Sequence, residues 1–221
     1  MAHVSSPWGY RLAKALLSRP MRRSYDIEVD GVGGLPRGPA ILAANHRSFM
    51  DSVFLALVVD EPVSFLAKAE YFDDRRTAWI FRATGQIPLR RGSPAGARKA
   101  LDAARDVLSD GGVVGVYPEG TRSRDGRLHR GHLGPARLAL ASGAPIVPVG
   151  LLGTERVQSP DRHLPRLGQR VAVRFGLPFR VEPRETNERA HLRKVTDRMM
   201  TDIAGLCGQE YVDRFSELVQ A

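Results

Sequence analysis

Ala40-Ile41-Leu42-Ala43-Ala44-Asn45-His46-Arg47-Ser48-Phe49-Met50-Asp51 is the stretch from which the fold can be read. Ala40–Ala44 is a short apolar run whose composition and length suit a half- or fully-buried strand. Four polar residues follow, and then an apolar segment, Phe49–Val59, long enough for a helix. A strand running into a helix is the unit of an α/β sheet, and in such sheets sites form at the strands' carboxyl ends. Asn45–Asp51 occupies that place.

The rhythm recurs along the chain. Strands are expected at Tyr25–Asp30, Ala40–Ala44, Val63–Ala67, Gln86–Leu89, Val113–Tyr117, Pro145–Leu151 and Val171–Phe175. Helices fill the gaps at Phe49–Val59, Tyr71–Thr84, Pro94–Ser109, Leu133–Ser142 and Glu185–Leu206. The expected fold is α/β, with a largely parallel central sheet of about seven strands flanked by helices. No repeat or linker interrupts it, so residues 25–221 are expected to form a single domain. Residues 1–24 stand apart as an amphipathic helix, with Trp8, Leu12 and Leu16 on one face and Arg11, Lys14, Arg19, Arg22 and Arg23 around it. That helix either lies in a membrane interface or docks on its own core. Gly153–Gln169 is expected to be a long loop, a length that usually marks function.

Composition narrows the function. The 221 residues are 43% hydrophobic and 26% charged, enough for one core and not for a disordered chain. The longest apolar run, Val53–Val59, is seven residues, far below the ~20 of a spanning helix. No charged-then-apolar leader is seen, so the expected location is cytoplasmic. Thirty-three basic against 24 acidic residues give +9 and a pI near 10.4, a balance that favours anionic partners. With 7% aromatic residues and no recognised motif, nucleic acid is not expected among them. The lone Cys207 excludes internal disulfides and fits an inert core position.

Three clusters carry reactive side chains. In the first, His46 can act as a general base, and Asp51, five residues on, can hold its other ring nitrogen. Ser48-x-x-Asp51 also reads as a helix capping box, and Asp51 can serve both ends. The second is Gly85-Gln86-Ile87-Pro88-Leu89-Arg90-Arg91, which places arginines at a strand end where a phosphate can be met bidentately or the side chains simply solvated. The third is Tyr117-Pro118-Glu119-Gly120-Thr121-Arg122-Ser123. Pro118 and Gly120 suit a type I turn, but a turn does not require Glu, Thr and Arg together. Thr121, Arg122 and turn N–H groups can hold phosphate oxygens, with Glu119 binding a hydroxyl or anchoring the arginine. His129 and His132 are too few for a metal site and read as a solvated or anion-facing loop.

These clusters and Pro145-Ile146-Val147-Pro148-Val149, in this order, resemble the four blocks of the glycerolipid acyltransferase family, which includes the 1-acylglycerol-3-phosphate acyltransferases. The resemblance covers roughly Ala40 to Leu151, about half the chain. It implies that His46 and Asp51 are the catalytic pair and that Arg91, Glu119, Gly120, Thr121 and Arg122 bind the acceptor's glycerol phosphate. The implied reaction carries an acyl group from acyl-CoA or an acyl carrier protein to lysophosphatidic acid, giving phosphatidic acid, with no further cofactor and no metal. The implied location is peripheral, on the cytoplasmic face of an anionic membrane. Two departures stand out: Arg90, where relatives often carry an acidic or small polar residue, and Tyr117 in place of the usual Phe. Glycerol-3-phosphate or another lysophospholipid remains an alternative acceptor. A non-catalytic, basic membrane-surface protein is the alternative from a different class.

Overall fold

The computed structural model describes residues 7–90, 92–162, 164–183 and 187–216. In chain order the elements are α1 (Pro7–Ser24), β1 (Asp26–Asp30), β2 (Ala40–Ala44), α2 (Met50–Val58), β3 (Val63–Lys68), α3 (Glu70–Asp73), α4 (Ala78–Ala83), β4 (Ile87–Leu89), α5 (Pro94–Ser109), β5 (Val113–Val116), β6 (Leu128–His129), α6 (Gly134–Ser142), β7 (Ile146–Leu152), α7 (Thr154–Val157), β8 (Arg170–Phe175), α8 (Glu188–Cys207) and β9 (Tyr211–Val212).

Seven strands form one sheet in the order β1-β8-β7-β2-β5-β3-β4. From β7 to β4 the strands run parallel; β8 is antiparallel to β7, and β1 follows β8. The reversal arises because the chain returns from β7 to its neighbour β8 through α7 and a loop rather than through a crossover helix over the sheet. β2 lies mid-sheet and is buried throughout. Ile41 and Ala43 point into a core shared with α5, α6 and α8, while Ala40, Leu42 and Ala44 face a second core with α2. This is the three-layer arrangement that the unbroken apolar run of β2 requires.

Helix ends follow local chemistry. Ser93 caps α5 by accepting the Gly96 N–H, with Pro94 at the first helical position. Asn187 caps α8 by accepting the Ala190 N–H, and Gly208 closes it in the left-handed conformation. Glu185, where the sequence pattern opens this helix, lies outside the described residues.

Three expectations are corrected. Tyr71–Thr84 is not one helix: Asp74 accepts the Arg76 N–H through its side chain and the Thr77 N–H through its carbonyl, turning the chain between α3 and α4. The long loop after β7 contains the one-turn helix α7. A two-stranded sheet, β6 with β9, was not foreseen, because two-residue strands leave no periodic pattern.

The first helix docks on its own core along one side. Its Tyr10 is buried and donates to the Ala56 carbonyl, and Lys14 donates to the Val59 carbonyl, so one side docks on α2. Leu12 and Leu16, on the predicted apolar face, stay exposed. The side chain of Trp8 lies outside the described residues.

Candidate active site

Because β2 and β5 pair in parallel, the loops leaving their carboxyl ends lie side by side. They are clasped to one another. The Ser123 N–H donates to the His46 carbonyl at 2.7 Å, and the His46 N–H donates to Glu119 Oε1 at 3.2 Å. Across the other edge of β2, Asn45 is tied to β7: its amide donates to the Leu151 carbonyl (2.9 Å) and accepts the Leu151 N–H (2.7 Å). The loop bearing His46 is thus held from both neighbouring strands.

Within that loop everything converges on Asp51, which is fully buried. Its Oδ2 receives the N–H of Arg47 at 2.7 Å and of Ser48 at 2.8 Å, and lies 2.8 Å from His46 Nδ1. Ser48 Oγ in return accepts the Met50 N–H at 3.1 Å. The Asp51 half of the predicted capping box is present, but α2 starts one residue later than the box requires: Phe49 is the N-cap, without a side-chain bond, and Ser48 Oγ takes the Met50 N–H rather than that of Asp51. One carboxylate therefore both closes the loop before α2 and orients the imidazole. Its other oxygen, Oδ1, has no hydrogen-bond partner.

The His46 ring is stacked on Tyr117, with centroids 3.8 Å apart and planes 11° from parallel. Tyr117 stacks in turn over Phe65 at 6.0 Å. This layering depends on Gly115: a Cβ there would lie 2.3 Å from the Phe65 ring. The Tyr117 hydroxyl meets Ser52 Oγ at 2.7 Å. Burial and the nearby Asp51 charge push the phenol well above its ordinary range, so it stays neutral.

Residues 117–120 form the predicted turn, closed by the Gly120 N–H on the Tyr117 carbonyl at 2.9 Å, with Gly120 at φ +73°. Glu119 does not face outward from it. The side chain is buried, and its second oxygen accepts the His129 N–H at 3.0 Å. Burial pushes its carboxyl up to about 7, helped by the charges of Asp51 and Asp125 and opposed by its two N–H donors. The expectation that Glu119 binds a hydroxyl or anchors the arginine gives way to a scaffolding position between two backbones.

A cleft of about 1080 Å³ opens beside His46. Its lining includes apolar side chains, among them Tyr10, Ala13, Leu17, Val53, Ala56 and Phe81, and polar and basic ones, among them Arg90, Thr121, Arg122, His132 and Arg137. Arg124, also on the cleft, is paired with Asp161 at 2.7 Å, whereas Arg90, Arg122 and Arg137 have no carboxylate partner among the described residues. His46, Gly120, Thr121 and Arg122 are thus brought to one cleft, with Asp51 and Glu119 behind its wall. Arg91 lies outside the described residues.

Of the histidine loop, expected to be solvated or anion-facing, His129 departs from the solvated reading and His132 lines the cleft. His129 is buried, with Nε2 3.0 Å from Asp125 Oδ1, and His132 stacks on Phe215 at 4.8 Å. Burial, with Arg193 nearby, lowers the His132 imidazole below its ordinary value. Among the described residues no cluster of three or more His, Cys, Asp or Glu side chains is placed to hold a metal ion. Cys207 is packed in the core, and burial pushes its thiol up. Sequence reasoning assigned no role to Asn45, Ser52 or Arg137. Asn45 stood in the quoted motif, but only the β2–β7 adjacency explains its use.

The chain is similar to several known proteins. A chloroplast 1-acyl-sn-glycerol-3-phosphate acyltransferase of Arabidopsis thaliana is 32% identical over 148 residues, 66% of this chain and 41% of its own length. A lyso-ornithine lipid O-acyltransferase of Pseudomonas aeruginosa is 29% identical over 163 residues, 74% of this chain and 61% of its own length. The chain therefore spans about two fifths of the plant relative and three fifths of the bacterial one. The crystal structure of the 1-acyl-sn-glycerophosphate acyltransferase PlsC from Thermotoga maritima superposes with a TM-score of 0.70 at 25% identity, covering 89% of this chain and 78% of that one. Residues 26–152, more than half the chain and the span holding both clasped loops, match the family model described as Acyltransferase, and the protein belongs to that family.

Proposed function

We propose that this acyltransferase moves a fatty acyl group from a thioester to the free hydroxyl of 1-acylglycerol-3-phosphate, producing phosphatidic acid for phospholipid biosynthesis. The observation that carries this reading is the His46–Asp51 pair on a cleft lined by both apolar side chains and arginines. The apolar lining suits an acyl chain. Arg122 with Thr121, and Arg90 and Arg137 beyond them, suit a phosphate; the implied role of Arg91 stays part of the proposal.

With Nδ1 committed to Asp51, Nε2 is the nitrogen that takes the acceptor's proton as its oxygen attacks the thioester carbonyl. Asp51 fixes the tautomer and stabilises the imidazolium that forms. The carbon–sulfur bond then breaks, and the imidazolium returns its proton to the departing thiolate. No serine or cysteine nucleophile enters, so transfer is direct. The chemistry calls on no cofactor; coenzyme A or an acyl carrier protein enters as part of the donor. The enzyme is placed at the cytoplasmic face of a membrane, attached peripherally through α1. No helix among the described residues is long and apolar enough to cross a bilayer.

The test is a mass-spectrometric transfer assay with a long-chain acyl-CoA and a panel of acceptors. Phosphatidic acid formed from lysophosphatidic acid supports the proposal. Preferential acylation of glycerol-3-phosphate or of lyso-ornithine lipid would move the acceptor assignment. The second is kept in the panel because the matched Pseudomonas enzyme bears that name. No product with either acyl-CoA or acyl carrier protein would return the chain to the class of binding proteins.

A further inference from the structure

The mouth of the cleft is framed by large apolar side chains that remain in solvent. Leu17 of α1, Phe49 at the head of α2 and Ile80 of α4 line the cleft and are 50%, 43% and 43% exposed. Next to them, Leu16 and Trp79 are 65% and 66% exposed. The two helices meet at one point: a Cβ on Gly9 would lie 2.8 Å from the Ala83 carbonyl oxygen, so the absence of a side chain lets the backbones touch. Trp79 sits one turn before that crossing on α4, and Leu12 and Leu16 one and two turns beyond it on α1. Exposed apolar surface therefore extends along both helices beside one opening, which single scattered residues would not produce.

Charge indicates what covers it. From Pro7 to Ser24, α1 carries Arg11, Lys14, Arg19, Arg22 and Arg23 and no acidic residue. The α3–α4 segment is balanced, with Arg75, Arg76 and Arg82 against Glu70, Asp73 and Asp74. A tryptophan among charged neighbours, beside a cationic helix, is the composition of a surface seated at the headgroup level of an anionic bilayer.

We propose that Trp79 and Ile80 form a second bilayer-insertion point, opposite α1, and that the two lips together seat the cleft mouth on an anionic lipid surface. An acyl chain then passes between bilayer and cleft without its methylenes crossing water. This rests on the reading that the acceptor is a lipid held in a bilayer, but its test does not depend on catalysis. The chain has two tryptophans, so Trp8→Phe leaves Trp79 as the sole reporter. With vesicles of phosphatidylglycerol and phosphatidylcholine, its emission should shift to the blue and be quenched by lipids brominated on the acyl chain. Trp79→Ser should lower vesicle affinity on the order of tenfold. The same variant should leave acyl transfer to a dispersed, short-chain acceptor unchanged.

Vesicle binding without a change in Trp79 emission would overturn the proposal and leave α1 as the sole anchor. A blue shift that grows with protein concentration in the absence of lipid would overturn it in favour of a second copy of the chain. Failure to bind vesicles would also overturn it. Transfer to the dispersed acceptor reports separately on the proposed reaction.

Discussion

Replacing Asp51 with asparagine separates the two duties that this carboxylate combines. The amide oxygen can take the place of Oδ2, keeping the N–H groups of Arg47 (2.7 Å) and Ser48 (2.8 Å) as donors. The opposite orientation would aim an NH2 group at two backbone donors and is excluded. The NH2 must then occupy the position of Oδ1, which is buried and has no hydrogen-bond partner. Leaving those donors unsatisfied costs about 1–3 kcal/mol of folding stability. At the imidazole the loss is larger. A neutral amide still accepts from Nδ1, but it no longer stabilises the charge that His46 acquires when it takes the acceptor's proton. Neutralising the carboxylate behind a histidine base lowers kcat by about 10³–10⁴, or roughly 4–5.5 kcal/mol of barrier at 1.36 kcal/mol per decade. The assay is steady-state transfer to lysophosphatidic acid, followed beside urea unfolding of the same preparations. The expected result is a folded variant with kcat down at least a thousandfold and KM for both substrates within about threefold. A folded variant keeping kcat within tenfold of wild type would refute the role of Asp51 and leave it only its bonds to the loop backbone.

Four further outcomes follow from the same geometry. Glu119 is raised from 4.5 to about 7, so between those values the folded chain binds more protons than the unfolded one. Its contribution to stability is full below the unfolded value and is lost as pH rises through the folded one, by up to about 1.4 kcal/mol per pH unit. Glu119→Gln should flatten that slope in urea titrations between pH 5 and 7, and an unchanged slope would contradict the assignment. Tyr117→Phe keeps the 3.8 Å stack under His46 and loses the 2.7 Å bond to Ser52; stability should fall by about 1 kcal/mol with kcat changed less than about threefold, and loss of turnover would place the hydroxyl in the chemistry. Arg122→Ala should raise KM for the phosphorylated acceptor by about 10–100-fold, the worth of a charge-assisted bond, while an effect confined to the acyl donor would reassign the arginine. Gly115→Ala would set a methyl 2.3 Å from the Phe65 ring and should lower stability by about 1–3 kcal/mol in thermal or urea unfolding.

The layered fold was legible because short apolar runs alternate with helical stretches along the chain, the order that builds a largely parallel sheet with helices over it. The Asp51 bond to Ser48 was legible because the two are three residues apart and the bond is local, although the helix itself is capped one residue later, at Phe49. The clasp between the β2 and β5 loops was not. It depends on those strands being neighbours across more than 70 residues of chain, and strand order leaves no mark on local composition. Glu119 was misread for the same reason: beside Thr121 and Arg122 it looks like part of a binding turn. Only the fold shows that both of its oxygens are taken by backbone N–H groups. The break between α3 and α4 was hidden because Asp74 reads equally well as an exposed helical residue and as a turn former. The apolar lip at Trp79 could not be seen in the sequence, since an exposed tryptophan and a buried one are written alike.

The central claim is that His46 removes the acceptor's proton in a direct transfer. Its most direct test is a single-turnover reaction of enzyme, acyl-CoA and lysophosphatidic acid, comparing wild type with His46→Ala after both are shown to unfold at the same urea concentration. The account predicts phosphatidic acid at a rate 10²–10⁴ lower in the variant, with no acyl group attached to either protein at any time. Wild-type turnover in His46→Ala, or an acylated enzyme that forms and decays with the product, would contradict it.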